Sequence, residues 1–269
     1  MLHYTQNQRL SELNSNELVE ALKRSLRRGD IDNFVSVCKV LRQKSANDPS
    51  LSRISENLPQ MFLKAAKNFL SREQRSITKD IARGRLNWVS YTIGRLEQII
   101  LDLTLSTLKA AEKAEVQVDR QLNQILQSFP ENFLKSVLPA LINRIERWIH
   151  QKGAKEPEVY DDELSLIEDI TITYQKACEK AGFPLSDQEI EKLDRLLKSA
   201  YLKASRDLLA KAKEFAEEGD EWMFNNTVEN AVAYADVAGS PLKDEEWERI
   251  RYLEKLVALR ARQEAKKYQ

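Results

Sequence analysis

Along residues 59–83, the cations Lys64, Lys67, Arg72, Arg75, Lys79 and Arg83 fall on one side of a helical wheel, and Arg85 lies just beyond. At about 100° per residue, Phe62, Ala66, Phe69, Leu70, Ile77 and Ile81 fall on the other side. A row of cations on a rigid helix can meet several phosphates or carboxylates at once. These seven basic residues are therefore the candidate site for an anionic partner, either an acidic protein segment or nucleic-acid phosphate. The ordinary alternative is the solvated face of an amphipathic helix. Two features weigh against nucleic acid: the chain has no net charge, and no aromatic residue shares the cationic side to stack on bases. The helix also has the form of an interfacial membrane helix, but the core needs Phe62, Phe69 and Ile77, so no membrane binding is expected.

Catalytic chemistry finds little to work with. The two histidines are His3, near the chain start, and His150. His150 follows Glu146 by four residues, whereas the Glu-x-x-His pair of di-iron bundles needs three. The sequence holds no Cys-x-x-Cys, His-Glu-x-x-His, EF-hand loop, glycine-rich phosphate loop or Gly-x-Ser-x-Gly elbow. The acidic run Glu156, Glu158, Asp161, Asp162, Glu163, Glu168 and Asp169 suits a helix N-terminus and a solvated face, and its spacing demands no metal. Cys38 and Cys178 lie far apart within helical patterns and read as free, buried thiols in a reducing compartment. The expectation is a non-catalytic protein with no catalytic residue, cofactor or metal.

The elements that must carry these residues are helices. Only seven glycines and seven prolines punctuate 269 residues, 31% of the chain is charged, and no stretch alternates with a period of two. Ser15 or Asn16 opens a helix that runs to Arg28, with Gly29 as its left-handed terminator. A second helix runs from Asp32 to just before Asn47-Asp48-Pro49, and Ser50 or Ser52 opens the next segment. Pro59 marks either a kink or a fresh helix that ends at Gly84. From Leu86 the 3-4 spacing of Leu86, Val89, Ile93, Leu96, Ile100 and Leu103 predicts one helix continuing toward Glu115, the seam of an antiparallel hairpin. Asp119 caps the next segment, and helices are expected at 119–128, 131–151, 160–181, 187–218, 221–238 and 244–267.

Two short signatures recur. Gly182-Phe-Pro-Leu-Ser-Asp187 returns as Gly239-Ser-Pro-Leu-Lys-Asp244, and Asn33-Phe-Val-Ser36 as Asn87-Trp-Val-Ser90. In the first, glycine ends one helix, proline prevents its continuation, and aspartate caps the next. Phe34, Trp88 and Trp222 each come three to five residues after a helix-ending glycine, where an aromatic is expected to wedge into the core. The turn Gly219-Asp220-Glu221-Trp222 resembles those of helical-hairpin solenoids in general, although the spacing is not that of tetratricopeptide repeats. The expected fold is all-α: stacked antiparallel hairpins, solenoid-like or an elongated bundle, in about four units near 15–83, 84–151, 152–218 and 219–267.

Charge divides the chain more sharply than any motif. Residues 1–155 hold 25 Lys and Arg against 16 Asp and Glu, residues 156–250 hold 11 against 24, and the last 19 hold 6 against 2. The organisation expected is a flexible segment 1–14, a basic helical half 15–151 and an acidic half 152–267 packed continuously with it. Opposed halves can steer salt-sensitive self-association or attract two partners. No apolar run approaches the roughly 20 residues of a membrane span, and Met1-Leu-His-Tyr-Thr-Gln has no secretory pattern, so cytoplasm is the expected location. The functional expectation is a scaffold for protein–protein interaction; the alternative is a nucleic-acid-associated protein that uses the basic 59–85 face.

Overall fold

The computed structural model describes residues 10–267. The regular structure among them is entirely helical, as expected, and no described helix is long and apolar enough to cross a membrane. In chain order the helices are α1 (Ser15–Arg28), α2 (Ile31–Ser45), α3 (Pro49–Glu56), α4 (Leu58–Arg83), α5 (Leu86–Gly94) and α6 (Leu96–Lys113). They continue as α7 (Arg120–Ile149), α8 (Pro157–Lys180), α9 (Asp187–Glu218), α10 (Glu221–Val237) and α11 (Asp244–Lys267). His3 lies outside the described residues. Of the expected flexible segment, residues 1–9 also lie outside them; Leu10 is buried and the Leu13 carbonyl accepts from Lys44 Nζ at 2.6 Å.

The fold gathers into two compact units that interleave in sequence: Met1–Asp80 with Arg95–Leu138, and Ile81–Gly94 with Pro139–Gln269. Charge along the sequence changes sign elsewhere, after residues 155 and 250. In the first unit Leu18, Leu22, Phe34, Leu41, Leu51 and Phe62 are fully buried, and the Phe34 and Phe62 rings meet at 6.2 Å. Each such side chain contributes about 2 kcal/mol on leaving water. In the second unit Trp148, Tyr160, Tyr174 and Phe224 are fully buried, and Phe224 joins Ala212, Phe215, Ile250, Leu253 and Val257 across α9, α10 and α11. Ser205 of α9 donates to the Ala231 carbonyl of α10 at 2.7 Å.

Local chemistry explains most boundaries. Asn14, rather than Ser15 or Asn16, caps α1 through a capping box with Glu17. Asp48, rather than a serine, caps α3, because its carboxylate accepts from the Ser50 N–H while Pro49 occupies the first turn. In the Gly-x-Pro-Leu linker it is Ser186, paired with Glu189, that caps α9, and Asp187 is already helical. The second copy of that linker places Lys243 at the capping position, and its N–H donates to Glu246 at 2.9 Å.

Three expectations change. The helix predicted over 86–115 breaks at Gly94-Arg95, and its apolar seam is shared out: α5 belongs to the second unit and α6 to the first. Glycine is the weakest helix former available there, and nothing crowds Gly94. Conversely, 119–128 and 131–151 join into α7 straight through Pro130. Leu126, Phe129, Phe133, Leu134 and Val137 on either side of it are all buried, and the Phe129 and Phe133 rings meet at 5.6 Å. That burial outweighs the roughly 3 kcal/mol that a mid-helix proline costs. Of the expected aromatic wedges only Phe34 is buried. Trp88 is 44% and Trp222 70% exposed, because Val89 and Phe224 take the inward positions of their helices.

Candidate anion-binding cleft

The candidate cleft lies in the first unit, where the end of α1 meets the middle of α4. Helix α1 stops at Gly29, whose φ of +61° is the left-handed turn that L side chains rarely adopt. Gly29 is also required by space: a Cβ there would stand 2.9 Å from the backbone carbonyl group of Asn68. Two side chains of α4 close the end of α1. Asn68 donates its amide to the Leu26 carbonyl at 2.8 Å, and Arg72 donates to the Arg28 carbonyl at 3.2 Å. Carbonyls that a helix terminus leaves bare are thus covered by the neighbouring helix.

This junction carries the last-turn cations of α1, Arg27 and Arg28, against the cationic side of α4. Arg27, Arg28, Arg72, Arg75 and Lys79, with Asn68 and Ser76, line a cleft of about 460 Å³ that contains no carboxylate. Arg72 is paired, through Nε and Nη2 to Glu73 at 2.9 and 2.6 Å, and it lies over the Phe69 ring at 5.7 Å. Arg75 Nε donates to the Ser71 carbonyl at 3.0 Å. Among the described residues, no carboxylate forms an ion pair with Arg27, Arg28, Arg75 or Lys79.

The seven basic residues singled out by sequence therefore separate. Arg72, Arg75 and Lys79 enter the cleft. Lys67 borders a different one, of about 400 Å³, with Ser71, Gln74, Gln121, Gln124 and Ser128. Lys64 is exposed on α4 outside both sets of lining residues, and Arg83 and Arg85 belong to the second unit. Arg27 and Arg28 are outside those seven, and the sequence pattern marks Arg28 only as a helix end. The signal available was a pair of arginines directly before a helix-terminating glycine.

The second unit uses its charges differently. Lys203, with a side chain only 10% exposed, pairs with Asp207 one turn away and sits 5.5 Å from both the Trp148 and Tyr160 ring centres. Tyr160 donates to the same Asp207 at 2.5 Å, and Trp148 Nε1 donates to Glu163 at 2.8 Å. Lys155 binds Glu163 at 2.5 Å, and Tyr234 donates to Asp161. Burial, and then the adjoining carboxylates, push the Tyr160 and Tyr234 hydroxyls well above the usual phenol range. Arg144, buried, donates to the Gly84 carbonyl at 2.6 Å, and burial lowers its pKa. Asp161 and Glu163 of the sequence's acidic run are thus engaged by protein donors.

His150 is exposed at the end of α7, and both cysteines are buried and free. Burial pushes the Cys38 thiol up to about 12. Among the described residues no three His, Cys, Asp or Glu side chains converge as a metal site would require. No family model matches the sequence, and no curated protein and no solved structure matches it either.

Proposed function

We propose that this chain is a non-catalytic helical binding protein that docks an anionic segment of a partner protein in the cleft between α1 and α4. One observation supports the reading above the rest: five cations from two helices converge on one cleft that no carboxylate lines. Cations crowded together repel, and folding tolerates the arrangement because each side chain still reaches water. An incoming anion relieves that repulsion and steers its own encounter. The stacked-hairpin architecture belongs to the same proposal, with α9 and α10, joined by the short Gly219-Asp220 turn, as its clearest pair.

A nucleic-acid partner is the weaker reading. The cleft lining includes no aromatic residue, and the Phe69 ring lies beneath Arg72. A second copy of the chain is another source of anionic segments, since residues 156–250 are rich in carboxylates.

The test is fluorescence anisotropy with a labelled polyglutamate peptide. Binding should weaken as salt rises, and charge reversal at Arg28, Arg75 and Lys79 together should weaken it at least about tenfold. Lys64→Glu, outside the cleft, should leave it within about twofold. Equal losses from Lys64→Glu and the cleft variant would reduce the site to a diffuse basic face, and absence of binding at low salt would end the proposal.

A further inference from the structure

The chemistry of the basic cleft is one-sided, and the free donors in it can be counted. Three of the five N–H groups of Arg72 are engaged by Glu73 and the Arg28 carbonyl, and the Asn68 amide nitrogen donates to the Leu26 carbonyl. The lining cations without an ion pair among the described residues are Arg27, Arg28, Arg75 and Lys79, with the Ser76 hydroxyl beside them. The bond from Arg75 Nε to Ser71 holds one edge of that guanidinium, while its two η nitrogens have no protein partner among the described residues. Two of the last carbonyls of α1 are covered: Leu26 by Asn68 and the Gly29 N–H, and Arg28 by Arg72.

Three guanidiniums and one ammonium are more than a carboxylate can use. A carboxylate offers one charge on two oxygens, satisfies one arginine fork, and leaves the other cations repelling each other. A phosphate monoester carries close to two charges at neutral pH and three terminal oxygens, each able to accept from more than one donor. The planar fork of arginine matches a pair of those oxygens, and three of the four free cations are arginines. A phosphodiester chain spreads single charges along a strand and is usually held by stacking platforms, which the lining lacks.

Resting on the docking role argued above, we propose that the cleft recognises a phosphorylated serine or threonine of a partner protein, with Arg75 as the fork that grips the phosphate. Arg27, Arg28 and Lys79 neutralise its second charge, and Arg72 is a positioning residue that holds the end of α1 in place.

The experiment uses the full chain and a short labelled peptide bearing one phosphoserine, compared with the same peptide bearing Asp or unmodified Ser there. The phosphopeptide should bind at least about tenfold tighter than the Asp peptide, and inorganic phosphate should compete with it. Arg75→Lys, which keeps the charge and loses the fork, should weaken phosphopeptide binding far more than Asp-peptide binding and so remove most of that preference. Unchanged helical circular dichroism will show that this exposed substitution has not unfolded the chain. Equal binding of the phosphoserine and Asp peptides, unaffected by Arg75→Lys, overturns the phosphate inference while leaving the docking role intact. Failure of polyglutamate and both charged peptides to bind at low salt removes the docking role as well. Displacement of the phosphopeptide by a single-stranded RNA that binds more tightly overturns the inference in favour of nucleic acid.

Discussion

The basic cleft of the first unit and the charged cluster of the second are built from similar side chains and put them to opposite use. In the second unit Lys203 and Lys155 each face a carboxylate and an aromatic ring, so their charge is spent on holding α7, α8 and α9 together. In the first, Arg27, Arg28, Arg75 and Lys79 stand in a cleft that no carboxylate lines. A cation removed from water must be paired within the fold, whereas one left at the surface of a cleft can wait for a partner. Position relative to solvent, rather than residue type, separates structural charge from available charge.

The largest effect should come from breaking the cluster. Asp207→Ala strips Lys203 of its counter-charge and Tyr160 of its acceptor, and should cost about 3 kcal/mol in urea unfolding. Adding Lys203→Met to it should recover much of that loss, because the uncompensated buried charge is then gone. An Asp207→Ala variant of wild-type stability would place the cluster with the surface ion pairs.

Next comes the geometry of the cleft itself. Gly29→Ala meets both a φ of +61° and a backbone 2.9 Å from the new Cβ. It should destabilise by about 1–3 kcal/mol and weaken peptide binding by moving α1 off α4. Stability lost with binding kept would show that the cleft tolerates a shift between the two helices.

Alkaline pH sharpens the contrast, because the raised groups are buried acids. The Cys38 thiol has an ordinary value of 9.0 and is held at about 12 in the native protein. Below pH 9 the thiol is protonated in both states, and its contribution to stability is fully present. Above pH 9 the unfolded chain releases that proton first, so stability falls by about 1.4 kcal/mol per pH unit until the native thiol also ionises near 12. Tyr160 and Tyr234, shifted in the same direction, add to the loss above the ordinary phenol value of 10.0. The urea midpoint should change little from pH 8 to 9 and fall clearly by pH 10, and a midpoint flat to pH 10 would contradict it.

The smallest effect should come from Arg75→Gln with Lys79→Gln. Neither cation has a carboxylate partner among the described residues, so stability should stay within about 0.5 kcal/mol while peptide binding drops. A marked loss of stability would mean that these side chains hold the fold together, as Lys203 does.

Helix identity was legible along most of the chain because its signals are local. Ser186 with Glu189 at one end and Gly219 at the other suffice to delimit α9, and the basic side of α4 emerges from periodicity alone. The signals failed where burial opposed them. Pro130 lies within α7 because Phe129 and Phe133 bury against the core, and α5 separates from α6 at Gly94 because their apolar residues serve different units.

Sequence by itself determined that the chain is helical, where most helices begin and end, and that one face of α4 is cationic. Propensity, capping and periodicity act within a few residues, so a single chain reveals them. Which cations meet was decided only by tertiary structure. Arg28 and Arg75 are 47 positions apart and share a cleft because Gly29 lets α1 end against Asn68. Arg83 and Arg85, only a few residues beyond Lys79, pass into the other unit. Convergence depends on how helices pack, and packing is set by the sum of many buried contacts that no local pattern records.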